Sequence, residues 1–347
     1  MSKPRVGIIN VTGYAGVELA RILARHPGVS LVAVTGRSAA GQKLGQFFPH
    51  LADIDLTIEA DIATPVDVVF SALPHKDSAL RVAPLVEKGV RVVDISADFR
   101  LKDLAVYEQW YGVKHPAPEL VKEAVYGLTE LYRPQIKKAR VVANPGCYPT
   151  SAILALAPLA REGLITADVI VDSKSGVSGA GRALDVKFQF AEANENVAAY
   201  GLDGHRHMPE IAQELAALRS GYEPRITFIP HLIPMTRGIL STCYAFPADR
   251  RITPDAAGKK HLMELFRQAY KGEPFVRVVD APPGTKLTLG NNMCLIHPTL
   301  DTRTGRIIVV SCLDNLVKGA AGQAVQNMNL MLGLPETTGI DAFALYP

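Results

Sequence analysis

The sequence predicts an α/β protein of two domains, the first built on a parallel sheet and the second of α+β type with a mixed sheet. Three observations predict it. The 347 residues exceed the length at which one hydrophobic core stops growing. Up to residue 146, short apolar strands alternate with amphipathic helices, the pattern of βαβ units whose parallel sheet is covered on both faces. From residue 147 the strand-like runs lengthen, grow richer in Thr and stop alternating strictly with helices.

The elements follow in order. Arg5–Ile9 is a short apolar strand, and Val17, Leu19, Ala20, Leu23 and Ala24 recur at helical spacing until Pro27-Gly28 ends the helix. Leu31–Thr35 and Asp67–Leu73 read as strands, Ser78–Lys88 as a helix stopped by Gly89, and Val90–Ile95 and Val141–Ala143 as further strands. Ser151–Glu162 reads as an apolar helix. Strands are expected at Val169–Ser173, Arg225–Ile229, Ile239–Phe246, Met293–Pro298 and Ile307–Cys312, with helices at Pro209–Arg219, Pro254–Tyr270 and about Asn315–Leu332. The expected division is a dinucleotide-binding domain over 1–146, completed by a C-terminal helix at about 315–347, and a catalytic and oligomerisation domain over 147–314.

Composition narrows the function classes. The net charge is +3, and Lys137-Lys138 and Lys259-Lys260 are isolated pairs, which argues against a nucleic-acid footprint. No run approaches the roughly 20 apolar residues of a membrane helix, and the N-terminus lacks a leader pattern. The four cysteines lie far apart, without zinc-site pairs, so no metal and a cytoplasmic protein with free thiols are expected.

The first strand runs into Asn10-Val11-Thr12-Gly13-Tyr14-Ala15-Gly16 and then a helix. This is a Rossmann-type turn, where glycines permit close backbone approach to a pyrophosphate and the helix N-terminus favours the anion. Asn10 stands where the first glycine is usual, and Asn tolerates positive φ best among residues with side chains. The second strand ends in Gly36-Arg37-Ser38, with no carboxylate to hold a ribose 2′-hydroxyl. Arg37 can instead pair with a 2′-phosphate and Ser38 can donate to it, which favours NADP over NAD.

Asn144-Pro145-Gly146-Cys147-Tyr148-Pro149-Thr150 lies between a strand and a helix. A helix N-terminus favours the thiolate, the nucleophilic form, and nearby amides can hold an oxyanion. The alternative local reading makes Cys147 a small buried residue, as the other three cysteines in apolar runs are expected to be. His205 and His207 precede a helix. They suit a substrate contact and an acid/base respectively, or a capping role, and no companion spacing suggests a metal. Ser96-Ala97-Asp98-Phe99-Arg100, Ser175–Arg182 and Pro234-Met235-Thr236-Arg237-Gly238 are polar loops that also suit anionic groups of a substrate.

Taken together, these strings resemble the N-acetyl-γ-glutamyl-phosphate reductase family of arginine biosynthesis nearly end to end. The resemblance rests on Thr12-Gly13-Tyr14 with Gly16, Ala72–His75, Asp94–Leu101, Asn144–Thr150, Ser175–Arg182, His205–Glu210, Pro234–Leu240 and Asp314–Gln323. It implies Cys147 as nucleophile, His207 as acid/base, and Ser178, Gly179 and Asn315 near the nicotinamide end of NADP. Ser96, Arg100, Asn144, His205 and Arg237 are the expected substrate contacts. A homo-oligomer, dimer or tetramer, joined through the second domain is also implied. Asn10-Val11 in place of Gly-Ala, and Met208 where Thr is common, depart from the family pattern.

The chemistry implied is attack of Cys147 on an acyl phosphate, hydride reduction of the thioester and release of an aldehyde. Three rivals stand beside it. One is a homologue acting on an aminoadipyl phosphate, which is one methylene longer and so distinguishable by only about 1–3 kcal/mol. The others are an aspartate-semialdehyde dehydrogenase and a non-catalytic NADP-binding regulator.

Overall fold

The computed structural model describes residues 2–346. They divide into two compact units. One holds the chain up to Pro145 together with Ala320–Ala342, and the other holds Gly146–Gly319 and the residues from Phe343 on.

The first unit is built on seven strands: β1 (Arg5–Ile9), β2 (Ser30–Thr35), β3 (Ile58–Glu59), β4 (Val68–Ser71), β5 (Arg91–Asp94), β6 (Val125–Tyr126) and β7 (Val141–Ala143). All neighbours are parallel, in the order β3-β2-β1-β4-β5-β7-β6. The order reverses direction on either side of β1, so the carboxyl ends of β1 and β4 flank the point where doubly wound sheets bind ligands. Every residue of β4 and β7 is buried, as expected of strands covered on both faces. The Tyr14–Leu23, Ser78–Glu87 and Gly322–Met331 helices pack on this sheet.

The second unit carries β8 (Ile165–Ser175), β9 (Ala198–Ala199), β10 (Arg225–Leu232), β11 (Ile239–Pro247), β12 (Val276–Val278), β13 (Cys294–Asp301) and β14 (Arg306–Leu313). Their order is β12-β13-β14-β11-β8-β10-β9. The sheet is mixed, with β8–β10 and β12–β13 parallel and the other pairs antiparallel. Along β8, Val169, Val171, Ser173 and Ser175 are buried, while Ile170 between them is 39% exposed. The Cys147–Arg161 helix packs against β11 and β14 and is buried from Tyr148 to Ala160.

The α/β class, the parallel first sheet and the mixed second sheet are therefore as expected. Three helices differ. The Cys147–Arg161 helix begins four residues before the expected Ser151, and the His207–Ala216 helix two residues before Pro209. Pro149 and Pro209 are each the third residue of a first turn, where a backbone N–H has no helical partner to lose. The expected Asn315–Leu332 helix is a π turn over Val317–Ala321 followed by an α-helix over Gly322–Met331. No helix continues from there to the C-terminus among the described residues. Among the described residues no helix is long and apolar enough to cross a membrane.

Candidate active site

In the first unit, β1 hands over to the expected phosphate turn. Asn10 takes a φ of 67°, the left-handed conformation that a glycine usually fills. Its side chain then pins the turn: Nδ2 donates to the Ala72 carbonyl at 2.8 Å, and Oδ1 accepts from the Thr12 hydroxyl at 3.1 Å. Tyr14, Ala15 and Gly16 form the first turn of the following helix, which has no acidic residue there to oppose an anion. A Cβ on Gly16 would lie 2.3 Å from the Asn10 carbonyl oxygen, so only glycine fits. Beyond β2, Arg37 and Ser38 form a short 3₁₀ turn. Both line a cavity of about 730 Å³ with Asn10, Thr35, Gly36, Asp61 and Arg81. A cavity at the end of β2 that is lined by Asn10 of the phosphate turn and by two arginines fits a dinucleotide bearing a 2′-phosphate.

The other residues expected in this unit are buried and engaged. The Ser96 hydroxyl donates to Asp94 at 2.7 Å. Arg100 donates from Nε to the Asn144 carbonyl at 2.8 Å and from Nη2 to Ile95 at 2.7 Å. Asn144 donates to the Ala320 carbonyl and accepts from Asn327. The structure thus brings Arg100 and Asn144 together as a buried pair just after β7. Burial, followed by the nearby Asp98 charge, pushes the Asp94 carboxyl up to about 6, against the pull of the Ser78 and Ser96 hydroxyls.

In the second unit Cys147 is the first residue of its helix and is half-buried, whereas Cys243, Cys294 and Cys312 are buried. Burial pushes the Cys243 thiol far up and that of Cys312 to about 11. The Cys147 position therefore differs from theirs in both exposure and local dipole.

Around it stands an aromatic group. The Tyr148 ring lies 5.8 Å from His207 and 6.0 Å from His205, and the two imidazoles are 4.8 Å apart. His205 Nδ1 accepts the His207 backbone N–H at 3.1 Å, which leaves the proton of a neutral ring on Nε2. Burial, reinforced by the Arg206 charge, lowers His205 to about 4. The Tyr148 hydroxyl meets that of Tyr200 at 3.1 Å, and burial raises its pKa strongly, so it remains a neutral hydrogen-bonding group.

Two residues without an expected role complete this arrangement. Glu210, 1% exposed, accepts the Gly146 N–H at 2.8 Å and so links the residue before Cys147 to the helix that starts at His207. The string shows that His207 and Glu210, three apart, share a helix face, but not that Glu210 reaches Gly146. Gly319 lies against the cysteine: a Cβ there would sit 2.8 Å from Cys147 Cβ.

Ser178 and Asn315 also come together, with Asn315 Nδ2 donating to Ser178 Oγ at 3.0 Å while its Oδ1 accepts Gly238 N–H at 2.8 Å. Gly179 follows in the same 3₁₀ turn. Arg237 lies 3.6 Å from the fully buried Asp314 carboxylate, which also accepts the Gly290, Leu316 and Val317 amides.

A parallel dinucleotide-type sheet, a mixed sheet and a cysteine that starts a helix, followed by a tyrosine packed on two histidines, define the semialdehyde dehydrogenase class. The family model for the semialdehyde dehydrogenase NAD binding domain matches residues 5–139, and that for the semialdehyde dehydrogenase dimerisation domain matches residues 147–315. Among solved structures, aspartate semialdehyde dehydrogenase II from Vibrio cholerae superposes with a TM-score of 0.72 over 96% of this chain and 99% of its own, at 15% identity. The Candida albicans aspartate semialdehyde dehydrogenase with NADP gives a TM-score of 0.69 over 95% and 99%, also at 15% identity. At that identity the likeness concerns the fold.

Sequence relatives are far nearer. N-acetyl-gamma-glutamyl-phosphate reductase of Dehalococcoides mccartyi is 58% identical over the whole of both chains, and that of Heliobacterium modesticaldum is 52% identical over 99% of each. The chain belongs to the N-acetyl-gamma-glutamyl-phosphate reductase family.

Proposed function

We propose that the chain reduces N-acetyl-L-glutamyl 5-phosphate to N-acetyl-L-glutamate 5-semialdehyde and phosphate, with NADPH as reductant, in arginine biosynthesis. The reading is carried by one observation: the half-buried cysteine heads a helix whose preceding amide is bound by a carboxylate from the helix that His207 begins. End-to-end identity to relatives bearing that enzyme name supports the substrate.

The residues divide the work. His207 takes the Cys147 proton as the sulfur attacks the acyl carbon, and a C–S bond forms as the C–O bond to phosphate breaks and phosphate leaves. The helix N-terminus at Cys147, with the positive end of its dipole, is suited to the oxyanion that forms on the way. NADPH, when bound, supplies the hydride for the thioester; Thr12 to Gly16, Arg37 and Ser38 would hold its phosphates, and Ser178, Gly179 and Asn315 its nicotinamide end. As the carbonyl re-forms, the C–S bond breaks, and His207 returns a proton to the departing sulfur. His205, neutral at pH 7, serves the substrate as a hydrogen-bond donor through Nε2. Ser96, Arg100, Asn144 and Arg237 complete the substrate set, Ser96 from its bond to Asp94 and Arg100 with Asn144 as the buried pair described above.

In this reading residues 1–146, with the C-terminal helix, form the NADP domain and residues 147–314 the catalytic and oligomerisation domain. The protein is a cytoplasmic homo-oligomer. The free thiols suit a reducing compartment. The half-open face of the second sheet, with Ile170 and Phe246 exposed, suits a second copy.

The test is phosphate-dependent reduction of NADP with N-acetylglutamate semialdehyde and with its homologue one methylene longer. The shorter substrate is expected to give the higher kcat/KM; preference for the longer one, or no phosphate dependence, would contradict the proposal.

A further inference from the structure

Within the cavity beyond β2, one carboxylate oxygen is shared by two arginines from separate parts of the chain. Asp61 Oδ1 lies 2.9 Å from Arg81 Nη1 and 3.9 Å from Arg37 Nη2. Arg37 comes from the turn after β2, Asp61 from the segment after β3, and Arg81 from the Ser78–Glu87 helix. All three line the same cavity. Nothing in the sequence pattern singled out Asp61 or Arg81.

We propose that Asp61 is an internal occupant of the 2′-phosphate position, and that Arg81 is a second phosphate-binding residue that sets preference for NADPH over NADH. The inference rests on the reading of this cavity as the NADP site.

Two guanidinium groups aimed at one point repel each other unless an anion sits between them. A single carboxylate neutralises one of the two charges. A phosphate monoester, nearly doubly charged and with three acceptor oxygens, neutralises both and matches the guanidinium fork. Asp61 and Arg37 are both about two-thirds exposed, so their pairing adds little stability and gives way readily to a stronger anion. The 2′-hydroxyl of NADH brings no charge and leaves Asp61 in place. Arg81, on its helix, is only 34% exposed, against 69% for Arg37, and so has fewer conformations to lose on pairing with the phosphate. The carboxylate therefore offsets part of the arginines' charge without cofactor and yields to the phosphorylated nucleotide alone.

Fluorescence titration of the intact protein with NADPH and NADH tests this, with thermal unfolding as the check on folding. Arg81→Gln is expected to raise the Kd for NADPH by about tenfold or more while moving that for NADH less than about twofold. Asp61→Asn is expected to lower the NADPH Kd several-fold, since it removes a negative charge beside the phosphate, and to change NADH binding less. Arg37→Gln separates the two layers of the reading. If it leaves NADPH binding untouched, the NADP assignment of this cavity fails. If it weakens NADPH binding while Arg81→Gln weakens neither nucleotide, or both equally, the assignment stands and the role given to Arg81 falls. Weaker NADPH binding in Asp61→Asn would overturn the role given to Asp61.

Discussion

The Gly146 amide donates to the Glu210 carboxylate at 2.8 Å, tying the peptide that precedes Cys147 to the helix headed by His207. Removing the carboxylate leaves a buried N–H without its partner, which costs about 1–3 kcal/mol. Glu210→Ala is expected to lower the unfolding free energy by that amount. It should also cut kcat/KM by about 10- to 100-fold, through misplacement of sulfur and imidazole. Glu210→Gln keeps an acceptor for Gly146 and should recover most of both losses. Equal damage in the two variants, in urea melts and steady-state assays, would show that this bond is not what Glu210 provides.

Gly319 sits against the nucleophile. An added methyl would come 2.8 Å from Cys147 Cβ and 3.2 Å from its Cα, closer than packed atoms tolerate, and the helix start would have to yield. Gly319→Ala is expected to lower kcat by about 10- to 100-fold, with a far smaller change in NADPH affinity. Steady-state kinetics beside nucleotide titration checks this, and wild-type kcat would count against the contact.

Asp94, which is buried, and His205, which is half-buried, tilt stability with pH in opposite directions. Asp94 is raised from its ordinary value near 3.8 to about 6, so between these values the native state holds a proton that the unfolded chain has released. Its contribution is present at low pH and is lost as pH rises through about 6. His205 is lowered from 6.5 to about 4, so over an overlapping range the unfolded chain binds the extra proton and stability grows with pH. Asp94→Asn should therefore steepen the rise in unfolding midpoint between about pH 4 and 6, and His205→Gln should flatten it. Parallel denaturant melts across this range decide the matter; unchanged slopes in both variants would refute it.

Much of this was legible in the sequence, and the failures share causes. The Arg5–Ile9 strand, the glycine turn and the strands at β4, β5 and β7 follow from apolar runs bounded by glycine and proline. Cys147 and His207 were expected just ahead of their helices and lie inside them, because a proline at the third helical position reads as a breaker yet removes no bond. The two-residue strands β3, β6 and β9 are too short to show alternation. The π turn at Val317–Ala321 arises where the Gly319 amide reaches back to the Asp314 carbonyl, five residues away, and hydrophobic spacing does not record that. Residue types that carry chemistry were visible as short strings. The bonds that hold them were not: Glu210 meets Gly146 across 64 positions, a relation only the folded chain creates.

The mechanism turns on a covalent acyl group on Cys147. Mixing the protein with N-acetylglutamate semialdehyde and NADP in the absence of phosphate tests it most directly. Oxidation should stop after one turnover per site, as a burst of NADPH, with the acyl group found by mass spectrometry on the peptide containing Cys147. Adding phosphate should release it and restore turnover. A phosphate-independent steady rate, an adduct on another residue, or undiminished turnover in Cys147→Ser would contradict the account.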